Sequence, residues 1–386
     1  MARRPTDPLP GPPDPWVPSE IPPFRSRPPY LMTEMIAAEP SLAERVIRRL
    51  RADPATDTLA EAVRAAESVR EPIIITGCGT SEHAGLGIGA MLEEALERPA
   101  GRPIPVLQAL EVARRPPASG LVIGVSHEGG TAVTNAALHA AGTAGARTAL
   151  VTAGTGSPGA ELADIVVATG EMDASWCHTV GYLSPLVAGL VVGSRLSGSR
   201  LDAVAVHALL DVAADPRAAS DVAAGLTGID RLVVVGAGVD RIAARELALK
   251  VAEGARLPAE AHELETSIHG HLAAATRWTG MVLILADPAV TAHAMDRVTR
   301  VLDAARSLAM PTAAILGERA ATEVDVSRTP AGRLIVPATG RVRGVGATML
   351  GTTIPLQLLA ERLARARGVN PDTLGREDPS QAAAHA

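Results

Sequence analysis

Ile73-Ile74-Ile75-Thr76-Gly77-Cys78-Gly79-Thr80-Ser81 decides the fold class. A short, wholly apolar run stops on a glycine, turns through a second glycine and reaches hydroxyl residues. A run of this length closed by glycine is the pattern of a strand buried on both faces of a parallel sheet. The following TSEHAGLGIGAMLEEAL reads as a helix with Thr80 or Ser81 near its N-cap. Outward from this point, LVIGVS (121–126), TALVTA (148–153) and DIVVAT (164–169) read as further strands with helical patterns between them. Strands alternating with helices predict an α/β chain with a parallel sheet covered by helices on both faces.

The second half echoes the first. LVVVGAG (232–238) matches IIITGCG (73–79) at an offset of 159, and MVLILAD (281–287) matches LVIGVSH (121–127) at 160. LIVPATG (334–340) answers IVVATG (165–170). Three correspondences in the same order predict two tandem copies of one α/β domain. AADPRAASD, near 214–222, interrupts the periodicity, so the domains are expected over 31–215 and 216–386. Residues 1–30 carry eleven prolines and no apolar period, as in a disordered or polyproline-like arm. LMTEMIAAEPSLAERVIRRL, from Leu31, reads as an amphipathic segment broken at Pro40. A second helix is expected over about Thr56–Val69.

Composition narrows the function classes. The 386 residues are 47 % hydrophobic and 20 % charged, enough to fill sizeable cores. A net charge of −6 leaves no broad basic field for nucleic acid. Cys78 and Cys177 lie far apart without a CxxC, which fits a reducing compartment, so a cytoplasmic protein is expected. The N-terminus lacks an apolar signal core, and the longest apolar stretch, around 186–192, is far short of a membrane span.

Four constellations carry chemistry. In Cys78-Gly79-Thr80-Ser81, glycines and a helix start offer backbone N–H groups to an anion, as would also suit a plain strand-to-helix turn. Neither a GxGxxG nor a GK[ST] is present. Ser126-His127-Glu128-Gly129-Gly130-Thr131 follows the next strand, and Ser126 and Thr131 bracket a second anion position on the same sheet edge, where open parallel sheets bind ligands. His127 alone equally suits a satisfied surface histidine. Third, Lys250 and Glu253 stand at i and i+3 on one helical face. A surface ion pair has that spacing too, but every one of the 36 basic residues except Lys250 is arginine. Chemistry that needs a neutral amine, such as a Schiff base to a carbonyl, has no use for arginine. Fourth, His262 to His271 holds three histidines and two acids, yet no HExxH and no third ligand beside His269 and His271. One histidine as acid/base is the expectation there, and no metal.

Together these residues resemble the sugar isomerase (SIS) domain family, and most nearly the tandem isomerase half of the glutamine–fructose-6-phosphate aminotransferases. The resemblance runs over about 31–380, through MTEMIAAEP, GCGTSEHAG, SHEGGT, ELALKVAEG, HELETSIHG and NPDTLGRE. It implies two tandem flavodoxin-like domains, each a five-stranded parallel sheet flanked by helices. It also implies a homodimer whose sites are shared between subunits. By resemblance the first loop (Cys78, Gly79, Thr80, Ser81) and the second (Ser126, His127, Glu128, Thr131) hold the sugar phosphate. Lys250 forms the Schiff base, Glu253 moves a proton between C1 and C2, and His269, followed by glycine, serves ring opening from the partner subunit. Arg376 occupies the place of a substrate-contacting lysine, and residues 175–179 resemble a stretch lining the family's site.

Two departures stand out. The family's glutaminase domain and its nucleophilic cysteine have no counterpart, so ammonia is expected from solution or from an ammonia-supplying partner. Glu128 replaces a phosphate-binding serine and sets a carboxylate against any phosphate dianion, so either it points away, or it pairs with a cationic group of the substrate, or the substrate is not a standard sugar phosphate. The expected activity is isomerisation or deamination of an amino sugar phosphate of the glucosamine-6-phosphate/fructose-6-phosphate type, without metal, flavin, nicotinamide or pyridoxal cofactor. The alternative is a non-catalytic sugar-phosphate sensor or subunit.

Overall fold

The computed structural model describes residues 25–338 and 340–384; most of the proline-rich arm, residues 1–24, lies outside the described residues. The first sheet comprises β1 (Ile73–Gly77), β2 (Val106–Gln108), β3 (Leu121–Val125), β4 (Arg147–Thr152) and β5 (Ile165–Ala168). They lie in the order β2-β1-β3-β4-β5, all parallel. The second sheet comprises β6 (Arg231–Gly236), β7 (Ala259–Glu263), β8 (Thr279–Leu285), β9 (Thr312–Gly317) and β10 (Gly332–Val336). Its order is β7-β6-β8-β9-β10, again all parallel. The strand order is the same in both, and the echoed runs β1/β6, β3/β8 and β5/β10 hold equivalent places. β2, β7 and β9 add to the strands read from sequence. β2 and β7 are edge strands without an apolar run, and alanines dilute the signal of β9.

The first half contributes helices α1 (Leu31–Ala52), α2 (Pro54–Ser68), α3 (Thr80–Ala95), α4 (Ala109–Arg114), α5 (Ala132–Ala144), α6 (Pro158–Glu161), α7 (Val180–Ser197) and α8 (Ala203–Ala213). The second contributes α9 (Pro216–Gly225), α10 (Asp240–Ala255), α11 (Leu264–Ile268), α12 (Pro288–Ser307), α13 (Glu318–Glu323) and α14 (Gly344–Ala366). Residue 215, near which a boundary is expected, lies in the α8–α9 turn, where Asp215 caps α9 through Arg217 and Ala218 N–H.

Alternation along the strands sorts side chains into three cores. Ile73 and Ile75 of β1 and Leu232 and Val234 of β6 point into one shared central core, with α1, α7, α10 and α14. Val233 and Val235 turn outward to α12, and Val122 of β3 turns outward to α5. The inward faces of these helices pack into that shared core, and a side chain on such a face is screened from water.

Two expectations change. Helix α1 runs unbroken through Pro40. A helix-interior proline costs one hydrogen bond and a steric clash, about 3 kcal/mol. Eleven buried residues along the helix, among them Met32, Leu42 and Ile47, outweigh that cost. The apolar stretch near 186–192 belongs to α7, which at 18 residues is long and apolar enough to cross a bilayer. It is instead largely buried inside the protein, packed on α1 and α3.

Candidate active site

Helix α10 leaves the C-terminal end of β6 and packs on α3 and α14. Its face bearing Glu246, Lys250 and Glu253, at i, i+4 and i+7, therefore turns inward. Lys250 and Glu246 are completely buried. The Lys250 ammonium donates to Glu253 Oε2 and lies 3.6 Å from Glu246 Oε1. Glu246 is held from the other half of the chain: Thr80 Oγ1 donates to Oε1 at 3.2 Å, and His83 Nδ1 meets Oε2 at 2.7 Å. Thr80 and His83 stand one turn apart at the start of α3.

Burial opposes the charge on Lys250, but Glu253, the Cys177 sulfur and Glu246 overcome it, and the ammonium is held above its ordinary range. Burial likewise pushes Glu246 up, and Lys250, His83 and Thr80 more than reverse it, so this carboxyl sits below its ordinary value. A salt bridge this deep is held by its hydrogen bonds on both sides; an unpartnered charge there would be expelled or neutralised.

The loop before α7 forms the next wall. Cys177 Sγ lies 3.8 Å from Glu253 Oε2 and 4.0 Å from the Lys250 carbonyl, and burial drives its thiol well above the ordinary range. Asp173 shapes this loop. Its carboxylate accepts from Thr179 N–H (3.0 Å), Val180 N–H (3.0 Å), Gly181 N–H (2.6 Å) and Thr179 Oγ1 (3.2 Å), capping α7. His178 is pushed down to about 4, chiefly by burial. Its ring lies 5.0 Å from that of His127. Cys177 and His178 had only resemblance to recommend them in the sequence; the fold sets Cys177 against the Lys250–Glu253 pair and His178 beside His127, within electrostatic reach of Lys250. Glu246 and His83 were not singled out at all; their signal was the i, i+4 and i, i+3 spacing to Lys250 and Thr80.

The second loop sits beyond β3. Ser126 is buried and its Oγ donates to Thr131 Oγ1 at 3.2 Å. His127 is buried, with Nε2 accepting from Asp173 N–H at 2.9 Å, so it braces the wall and is no surface histidine. Glu128 remains partly exposed. Its countercharge comes from the C-terminal segment. Asp372 accepts from Leu31 and Met32 N–H at the start of α1, and its carbonyl accepts from Trp176 N–H. That segment lays the Arg376 guanidinium on the Trp176 ring at 3.6 Å, within electrostatic reach of Glu128. In the first loop, Gly79 adopts φ +56°, Cys78 is partly buried with Sγ 3.9 Å from Thr134 Oγ1, and Ser81 is partly exposed at the helix start.

His269 stands apart from this group. It is exposed beyond α11 with Nε2 3.1 Å from Glu265 Oε1, and it has no contact with Lys250 or Glu253. Among the described residues no group of three or more His, Cys, Asp or Glu is arranged to hold a metal ion.

The second sheet carries equivalent loops but closes them. Asp240 stands where the repeat puts Ser81. Its buried carboxylate accepts from Ala286 N–H (3.0 Å) and Asp287 N–H (3.0 Å), beyond β8. A side chain of the protein thus bridges the two loops of the second half, where the first half has Ser81 and Ser126.

The chain is similar to curated glutamine–fructose-6-phosphate aminotransferases. It is 29 % identical to that of Symbiobacterium thermophilum over 362 residues (89 % of this chain, 57 % of the relative). It is 30 % identical to that of Gloeobacter violaceus over 322 residues (78 % and 50 %). Among solved structures, the C-terminal domain of glucosamine-fructose-6-phosphate aminotransferase from Francisella tularensis superposes with a TM-score of 0.77 at 20 % identity, covering 91 % of this chain and 99 % of that one. The chain has the tandem SIS-domain fold. No protein-family model matches it. Tagatose-6-phosphate ketose/aldose isomerase from Escherichia coli shares the fold, with a TM-score of 0.71 at 18 % identity and coverage of 92 % and 98 %. The chain spans about half the length of the curated relatives it matches.

Proposed function

We propose that this chain is a Schiff-base enzyme that interconverts a ketose and its 2-amino aldose, in either direction, on a phosphorylated sugar. The observation that carries the reading is the only lysine of the chain, fully buried between two carboxylates at the junction of the two domains. In the synthetic direction the neutral Lys250 amine attacks C2 of the open-chain ketose, and the carbonyl oxygen leaves as water. Ammonia then displaces Lys250 from the iminium carbon. The positive C=N group acidifies C1–H, and Glu253 takes that proton from C1 and returns it to C2, giving the amino aldose. Run backwards with water, the same steps release ammonia.

Thr80, Ser81, Ser126, Thr131 and Arg376 are the proposed contacts to the sugar phosphate, with Glu128 set against the dianion. His269 is proposed to act from the partner subunit of a homodimer, which fits its exposure and its distance from Lys250 in its own chain. A cytoplasmic setting and ammonia from solution or a partner protein complete the reading.

Borohydride trapping tests it. With one lysine, the chain offers two primary amines, Lys250 and the N-terminus, so the adduct maps unambiguously. Incubation with fructose 6-phosphate or glucosamine 6-phosphate and reduction should add one sugar mass to the peptide bearing Lys250, and Lys250→Arg should abolish both adduct and turnover. Calorimetric binding of these sugars with no adduct and no turnover would refute the enzyme and favour a sugar-phosphate sensor.

A further inference from the structure

The chain is negative overall, at −6, yet two short arginine-bearing segments face one opening. In Arg341-Val342-Arg343, just ahead of α14, the valine is buried and both arginines are exposed. In Arg200-Leu201, ahead of α8, the leucine is buried and the arginine is exposed. The buried residue anchors each segment, and the guanidinium groups stand on the rim of a cavity of about 340 Å³. Its other walls are the last turns of α3 and α7. We infer that this cavity is a second ligand site, for an organic phosphate with an apolar body. It is separate from the lysine site: Thr80 opens α3, and Glu94 lines the cavity about 20 Å further along the same helix.

The lining matches both parts of such a ligand. Met91, Leu190, Leu201 and Val342 supply apolar surface. The volume lies in the range of about 300–1,000 Å³ that holds small organic ligands. Arginine presents a planar fork of N–H donors that matches phosphate oxygens, and the flat face of its guanidinium packs on an aromatic body.

The charges at the rim are largely uncommitted. Arg341 lies 3.7 Å from Asp202, whose carboxylate also caps α8. Arg343 gives only its Nε to the Gly340 carbonyl, at 3.0 Å, and Arg200 has no ion-pair partner among the described residues. Glu94 is the one carboxylate in the lining, and it is turned to the start of α14, where its oxygens accept from Val345 N–H at 3.2 and 3.1 Å. Three arginines against one glutamate leave the rim positive. The C-terminal ends of α3 and α7 also attract cations. Among the described residues, however, none of these guanidinium groups donates to a carbonyl of either helix. The Ser194 and Ser197 hydroxyls serve that purpose, donating to Val191 O at 2.7 Å and Gly193 O at 3.0 Å. Because α3 and α7 come from the first half of the chain and residues 341–343 from the second, a bound ligand bridges the two and stabilises the folded chain by mass action.

Phenyl phosphate, one phosphate on a flat apolar ring, is the probe, titrated by calorimetry at low salt. The wild type should bind it with a dissociation constant below about 1 mM, inorganic phosphate at least ~10-fold more weakly, and phenol without measurable affinity. Added salt should weaken binding. The Arg200→Ser/Arg343→Ser double variant should lose at least ~10-fold in affinity with an unchanged melting temperature, since both side chains are exposed. If the double variant does not fold, the two single variants are read in its place. Phenyl phosphate held by the loops after β1 and β3 would survive these substitutions, so a titration that they leave unchanged would overturn the inference. So would a wild type that binds no phenyl phosphate at about 10 mM. Inorganic phosphate bound as tightly as phenyl phosphate would overturn the organic-phosphate assignment. None of these readouts involves Lys250.

Discussion

Asp240→Asn should stabilise the protein at alkaline pH and leave it unchanged in acid. Asp240 is wholly inaccessible, and burial raises its carboxyl to about 7 from an ordinary 3.8, with backbone N–H donors opposing and Asp287 adding to the rise. The folded state therefore holds a proton that the unfolded chain releases near pH 4. The stability linked to this group is full below about pH 4 and drains away as pH rises to about 7. A displacement of about three pH units corresponds to about 4 kcal/mol, taken as an upper figure. Asparagine keeps the shape and an oxygen for the Ala286 and Asp287 amides, and it never carries the charge. Urea unfolding midpoints at pH 5 and pH 8.5 measure the difference. The variant should gain up to about 4 kcal/mol on the wild type at pH 8.5, and distinctly less at pH 5. A gain independent of pH, or a loss at pH 8.5, would refute the buried-carboxylate argument.

Three further outcomes follow from the site. Gly129→Ala should cost about 1–3 kcal/mol and weaken sugar binding, because Gly129 has φ +68° and a Cβ there collides with Ser157 Oγ; differential scanning calorimetry and KM read the two effects. Asp173→Ala should lower stability by about 2 kcal/mol through the lost α7 cap, and in the wild type the His178 imidazole NMR signals should stay flat from pH 8 to 5.5, since that group is pushed down to about 4. Mixing inactive His269→Ala with inactive Lys250→Ala subunits should restore activity, to at most about a quarter of wild type, if His269 acts across a dimer; continued inactivity of a verified mixed dimer would place His269 outside the reaction.

Much of the fold was legible because buried parallel strands are wholly apolar. IIITG, LVIGV and LVVVG announce themselves, and their common spacing reveals the duplication. Edge strands with polar faces carry no such signature, which is why His262 and Glu263 read as the start of the chemistry-bearing cluster at 262–271 and not as the end of β7. Pro40 misled for a related reason: a local rule about helix-breaking ignores the burial available along the rest of α1. In the site, Lys250 and Glu253 were legible from arginine bias and from spacing on one helix, because a helix fixes i and i+3 without help from the rest of the chain.

The partners of Lys250 from elsewhere were not legible. His83 and Thr80 lie more than 160 residues from Glu246, and Cys177 lies 73 residues from Lys250. Helix and strand periodicities relate residues within one element, and the repeat relates equivalent strands; neither pairs a side chain of α3 with one of α10. The amino-acid sequence by itself determined the two parallel sheets, their duplication and the lysine–glutamate pair, since these follow from short-range pattern and helical geometry. The tertiary structure alone decided that the lysine is buried between two domains, that His83 backs Glu246, and that Asp240 ties together the two loops of the second half. Those facts depend on which surfaces of α3, α7 and α10 pack together, and packing is settled by burying apolar area over the whole chain.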